Sequence, residues 1–163
     1  MASIDDPLVQ ELLAGRYVAT LATQNQDGSP HLVSVWFFYA QGKCYIATAS
    51  RSKKARNLKE RPAAALMVDS RDEAASRGVT ISGAARLLSG EESKRLNSKI
   101  HAKYLSDAAI HDARVGPVFA QWDDVTIELS VASVYAWDMR EADRLAFGGA
   151  FQQNPGYLLP LAR

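Results

Sequence analysis

The sequence predicts a mainly β fold, a six-stranded antiparallel β-barrel with a few flanking helices. Three observations carry this. Runs of β-branched and aromatic residues alternate with short turns rich in Gly, Asn and Asp. Several consecutive strands are joined by tight hairpin turns, which serve antiparallel neighbours. The helical segments interrupt the strands without alternating with them, which argues against a parallel doubly wound sheet.

Asp5-Asp6-Pro7 reads as a helix start, an acidic cap followed by proline in the first turn. Leu8, Val9, Leu12 and Leu13 share one helical face, and Gly15 stops the helix. Tyr17 to Thr23 reads as the first strand. Asn25 to Pro30 is a turn whose Asp27-Gly28 pair supplies the positive φ of a hairpin. His31 to Tyr39 is the second strand, and its nearly continuous apolar run predicts cover on both faces. Ala40-Gln41-Gly42 turns the chain into the third strand, with Cys44, Tyr45, Ile46 and Thr48.

Ala63 to Val68 and Val79 to Leu88 are the fourth and fifth strands, with Gly83 as a bulge or close-approach point. Ser89 and Glu92 have capping-box spacing before a helix with Leu96, Ile100 and Tyr104 on one face. Residues 106–115 read as irregular or weakly helical, and 117–122 as a connector. Val125 to Asp138 is a long final strand or a bulged pair. The tail from Met139 is expected to run extended over the surface. The expectation is one domain over residues 1–163, with a core at about 8–138 and a tail at 139–163.

Composition excludes some function classes. Apolar content of 47% and charged content of 23% are ordinary for a globular chain. A net charge of +1 gives no bulk electrostatic case for nucleic acid or membrane as a partner. One cysteine, Cys44, excludes an internal disulfide and fits a reducing compartment. There is no apolar run of about 18 residues, and the acidic N-terminus lacks the features of a signal peptide. A soluble cytoplasmic protein is expected.

The chemistry concentrates in Lys43 to Pro62. After the third strand comes Thr48-Ala49-Ser50, then a short helix that Ser50 or Ser52 can cap and Pro62 ends. From Arg51 to Arg61 there are six basic residues and one acid. Cations in a first helical turn oppose the helix dipole unless an anion sits among them. Two readings are open: a bound phosphate, or a solvated basic surface helix. Nothing else suggests chemistry of the chain's own. His31, His101 and His111 read as surface or capping residues, no metal site is visible, and Cys44 reads as a small buried hydrophobe. No phosphate-binding glycine loop, nucleophile elbow or acid pair stands out. An enzyme of this composition needs a bound cofactor.

One resemblance fits these observations. The runs Gly28-Ser29-Pro30-His31 to Trp36, Tyr45-Ile46-Ala47-Thr48 and Ser52-Lys53-Lys54-Ala55-Arg56-Asn57-Leu58, ending Arg61-Pro62, resemble the pyridoxamine 5′-phosphate oxidase-like superfamily of FMN-binding split β-barrels. The resemblance covers about residues 8–138. It implies a flavin-dependent oxidoreductase acting on a small-molecule substrate. It implies phosphate contacts from Ser52, Lys53 and Lys54. Thr48, Ala49 and Ser50 would meet the phosphoribityl chain. Val33, Ser34, Val35 and Trp36 would line the ring, and Asn57 would support the same site. It also implies a homodimer with flavin at the interface, approached by Arg77 to Ser82 and by Gln121 and Trp122 of the other chain. Trp122 reads equally as a core or interface anchor.

True pyridoxamine phosphate oxidases resemble one another in an Arg-Gln pair entering the fifth strand, where this chain has Arg77-Gly78. They also end in a substrate-binding basic segment, where this chain has Arg144-Leu145-Ala146-Phe147. Both departures point away from the vitamin B6 reaction. The Ser-Lys-Lys-Ala-Arg-Asn-Leu run also looks like the deazaflavin-dependent reductases of the superfamily. Their coenzyme would use Arg51, Arg56, Lys59 and Arg61 as a wider basic groove; a surface helix would carry the same residues. A non-catalytic flavin or haem binder is the alternative from another class.

Overall fold

The computed structural model describes residues 2–72 and 74–160. Its strands are β1 (Ala19–Gln24), β2 (Pro30–Val35), β3 (Phe38–Ala40), β4 (Lys43–Thr48), β5 (Ala63–Ser70), β6 (Arg77–Leu88), β7 (Val125–Ser130) and β8 (Ser133–Asp138). They form one antiparallel sheet in the order β2-β1-β5-β6-β7-β4-β3, with β8 beside β6, curled into a half-barrel. The turns expected to drive this are present: Gly28 has φ +84°, and Gln41 and Gly42 have φ +51° and +73°.

Eight strands replace the expected six because two long strands divide. The second breaks at Trp36-Phe37, so that β2 pairs with β1 while β3 pairs with β4 at the far end of the sheet order. One run of chain therefore reaches both margins of the curl. The last strand breaks at Val131-Ala132. β7 pairs with the end of β6 and β8 with its beginning. Gly83 sits at that change of partner, where a Cβ would overlap the Ser130 carbonyl oxygen. The expected close-approach point is thus the place where β6 passes the kink.

The core lies on the concave face. Leu21, Leu66, Ile81 and Val134 are successive register partners and form one buried row across four strands. Val9, Leu12 and Leu13 of α1 (Pro7–Ala14) join the same core. Burial of each such side chain contributes about 1.5–3 kcal/mol. The opposite face carries Leu32, Ala22, Ala65, Ser82 and Ser133 in one row, half-buried or exposed.

The helix expectations hold in part. Asp6 caps α1, accepting from the Leu8 N–H at 2.9 Å. α2 (Lys53–Glu60) is capped by Ser52, whose Oγ accepts from the Ala55 N–H at 3.3 Å. α3 (Gly90–Tyr104) packs Leu96 and Ile100 on Tyr45 and Leu88. The capping box ahead of it does not form. Ser89 makes no side-chain cap bond, and the chain enters through Gly90 at φ +69°.

The segments expected to be irregular contain α4 (Asp107–His111) and α5 (Gly116–Trp122). The tail is not extended. It forms α6 (Met139–Phe147) and α7 (Ala150–Gln153), then a 3-10 turn at Pro155–Tyr157. Asp138 caps α6, and Gly148 ends it at φ +62°. The buried Asp143 carboxylate accepts from the N–H groups of Phe151 and Gln152, which fixes α7 against α6. Among the described residues no helix is long and apolar enough to cross a membrane.

Candidate functional site

The expected site residues gather around the start of α2, distributed over three clefts. The first, of about 320 Å³, is lined by Ser34, Val35, Trp36, Lys54, Phe119 and Asp123 among others. The second, of about 280 Å³, holds Ala49 and Ser50 with Gln121, Trp122 and Asp124. The third, of about 580 Å³, runs between the β1–β2 turn and α2 and holds Lys53, Asn57, Arg56 and Arg61. Three expected residues, Val33, Thr48 and Ser52, line none of the three. Val33 packs against the barrel core, since alternate residues of β2 face inward. Thr48 is buried, and its hydroxyl shares a 3.1 Å hydrogen bond with the Ser52 hydroxyl.

This Thr48–Ser52 contact connects the end of β4 to the cap of α2. It fixes where the first helical turn points. Lys53 and Lys54 are consecutive, so they diverge, one to the third cleft and one to the first. Lys54 is half-buried, and that burial pushes its ammonium below the ordinary lysine range; the Asp123 charge partly opposes the shift. Asn57 has a bracing role. Its Nδ2 donates to Thr23 Oγ1 and Asn25 Oδ1, both at 3.1 Å, and so ties α2 to β1 and its turn.

Ser50 is already engaged. Its N–H and Oγ–H donate to the two carboxylate oxygens of Asp124, at 2.6 and 2.7 Å. These bonds hold the Asp124 carboxyl below the usual carboxylate range. Arg77, expected near a flavin of the partner chain, bonds Glu11 of α1 in its own chain at 2.5 Å. Trp122 is exposed, so it is not a core residue.

Three residues at the site carry no signal of their own in the sequence, Phe119, Asp123 and Asp124, and a fourth, His101, reads there as a surface or capping residue. Trp36 lies between two rings. It stacks on Tyr104 at 5.0 Å with an interplanar angle of 1°, and on Phe119 at 5.5 Å and 25°. His101 is buried, not a surface residue, and its Nε2–H donates to Asp123 Oδ2 at 2.9 Å. Asn97 Nδ2 donates to the Asp123 carbonyl at 2.7 Å. A signal for this was present. Asn97, Ile100, His101 and Tyr104 have the spacing of one helical face, so two polar residues on an apolar stripe called for partners. Cys44 is fully buried, which pushes its thiol up to about 12, and it is an inert core residue. Among the described residues no cluster of His, Cys, Asp or Glu has a metal-holding arrangement.

A family model described as pyridoxamine 5′-phosphate oxidase matches residues 6–138. The chain belongs to this family. Membership accounts for the split-barrel architecture and for the position of α2 directly after β4. Solved structures of the same fold include the conserved hypothetical protein Rv2991 from Mycobacterium tuberculosis, 23% identical with a TM-score of 0.69. That alignment covers 87% of this chain and 88% of the other. An F420 reductase is 21% identical with a TM-score of 0.62, covering 77% of this chain and 94% of its own. HutZ, a haem storage protein from Vibrio cholerae, is 16% identical with a TM-score of 0.62, covering 80% and 92%. A comparison with curated proteins finds no match. At these identities the likenesses show the oxidase-family fold alone, shared by proteins of different function.

Proposed function

We propose that the protein is a flavin-dependent oxidoreductase, most simply FMN-dependent, acting on a small molecule. The observation that carries this is the first cleft. It brings the end of β2 (Ser34, Val35, Trp36) to the half-buried Lys54 of α2. A planar ring fits beside an aromatic wall, and the donors around the start of α2 have the chemistry of a phosphate grip: the Ser50 N–H and hydroxyl, the Ser52 hydroxyl and the Lys54 ammonium, with Lys53 adding its charge from the adjoining third cleft. These residues therefore fit the cofactor. When bound, FMN supplies hydride acceptance and donation, so the chain needs few titratable groups of its own. The residues bind and orient. Ser34 and Val35 offer backbone N–H and C=O groups to a ring edge, Trp36 excludes water from one side, and Asn57 keeps α2 in place.

A deazaflavin coenzyme is the second reading. The third cleft favours it: Lys53, Arg56 and Arg61 line it together with Asp27 and Glu60, and although Arg61 is paired with Glu60 at 2.9 Å, Lys53 and Arg56 remain as cations for a longer anionic tail. The likeness to an F420 reductase supports it as well.

The working unit in this proposal is a homodimer. The outer sheet face carries small side chains (Ala22, Ala65, Ser82) flanked by the exposed Leu32 and Tyr135. Small residues let a second sheet approach closely, and a second copy of the chain would cover the two apolar side chains.

The test is the purified protein with Lys53 and Lys54 both replaced by Ala. The wild type is expected to bind FMN, seen as a yellow absorbance band and quenched flavin fluorescence. The double variant should lose that binding and stay folded. Each charge-assisted contact is worth about 1.5–3 kcal/mol. Retained affinity in the variant would show that the phosphate sits elsewhere. Selective binding of the deazaflavin would favour the second reading.

A further inference from the structure

Phe119 and Asp124 lie on one short stretch of chain, yet they take up two separate positions in the site. Phe119 stacks on Trp36, the aromatic wall of the first cleft. Asp124 places a carboxylate on the N–H and hydroxyl of Ser50 in the second cleft. One position is what a planar ring would use, the other what an anion would use. We propose that residues 116–124 are an internal stand-in for the ligand, Phe119 for its ring and Asp124 for its anionic group, and that binding displaces them. The inference rests on the cofactor reading above and specifies it: the ligand must be planar, aromatic and anionic, because it has to replace both groups.

The packing defines what moves. α5 has no buried residue, so little core contact holds it. It is attached at its end. The Asp123 carbonyl is fixed by Asn97, which also accepts from Thr126 Oγ1 at 2.6 Å in a buried network with Ser93. Asp123 therefore stays with the barrel. Displacement involves α5 ahead of it, carrying Phe119, and the side chain of Asp124 behind it. Asp123 lines the first cleft and Asp124 the second, so these neighbouring residues belong one to each cleft.

A stand-in reduces apparent affinity by the fraction of molecules in which it is in place. That sets a sign opposite to an ordinary contact residue. Removing a contact weakens binding; removing a competitor strengthens it. The probes are FMN and riboflavin, which share a ring and differ in the phosphate.

FMN and riboflavin titrations followed by flavin fluorescence, with wild type, Phe119→Ala and Asp124→Ala, test the proposal. Phe119→Ala is expected to bind both probes about tenfold more tightly. Asp124→Ala is expected to bind FMN about tenfold more tightly and riboflavin unchanged. Hydrogen exchange on the wild type gives a second measurement that needs no variant: amide protons of α5 should lose protection when FMN is added. Equal or weaker FMN binding in both variants, or unchanged α5 protection, would overturn the stand-in while leaving the cofactor reading intact. No binding of either probe or of a deazaflavin by any form would overturn the cofactor reading, and the stand-in with it.

Discussion

His101 on α3 meets Asp123 at the end of α5, with Nε2 2.9 Å from Oδ2. The pair links the helix packed on the barrel to the segment lying over Trp36. Phe119 rests 5.3 Å from the His101 ring, so one imidazole supports both the carboxylate and the aromatic wall.

His101→Ala should therefore destabilise the fold as well as loosen the site. The substitution leaves the Asp123 carboxylate without its side-chain partner and opens a gap beside Phe119. The expected loss is about 1–3 kcal/mol in urea denaturation. His101→Gln, which keeps a donor, should recover part of it. Wild-type stability in the Ala variant would show the pair to be as weak as a solvated surface contact.

Gly83→Ala should cost about 1–3 kcal/mol by overpacking. The new Cβ meets the backbone of Ser130 and Ala132, and backbone cannot rotate away as a side chain can. The checks are a lower Tm and strand content retained by circular dichroism. Substitution without loss would mean that β6 and the β7–β8 kink are further apart than described.

Lys103 gives a pH prediction. Its Nζ lies 4.0 Å from the Phe37 ring centroid and donates to the Leu13 carbonyl at 3.3 Å. The ring favours the charged form, but burial outweighs it and brings the pKa down to about 8, from 10.5. Below about pH 8 the group is protonated both folded and unfolded, and its folded charge is unfavourable. Between about 8 and 10.5 only the unfolded chain holds the proton, so this group's contribution to stability rises with pH. Lys103→Met removes the titration. Its stability advantage over wild type should shrink as pH rises through that window, measured by denaturation at several pH values. A pH-independent difference would show that Lys103 titrates as a solvated lysine.

Ala65→Glu addresses the proposed dimer. Ala65 sits in the middle of the small-residue row on the outer sheet face, half-buried in the single chain. A buried, unpaired carboxylate there is expected to split a dimer into folded monomers. Light scattering after size exclusion reads the mass directly. A monomeric wild type would overturn the proposed dimer, and a dimer that tolerates the charge would place its interface elsewhere.

Much of the fold was legible in the sequence because its determinants are local. Asp6 and Ser52 as caps, Gly28 and Gly42 in the turns and the alternation through Leu21, Leu66 and Ile81 act over a few residues. Dihedral preference and side-chain period fix them wherever the segment is placed. Gly83 was marked as a close approach, although only the sheet shows what approaches it.

The tail departs from its expected extended path for the opposite reason. The Asp143 bonds that fix α7 against α6 span eight and nine residues, beyond any capping signal. The basic cluster from Arg51 to Arg61 was equally plain, and with it the place where an anion belongs. What surrounds that place was decided by tertiary structure alone. Asp124 reaches Ser50 across 74 positions, and Asp123 reaches His101 across 22. No periodicity or spacing in one sequence encodes such pairs. They follow from the curl of the sheet, which brings the end of β4 and the start of β7 together as antiparallel neighbours, with Thr48 opposite Val125. The sequence determined that the chain has an anion-seeking helix start; the sheet register determined that the chain's own carboxylate stands beside it.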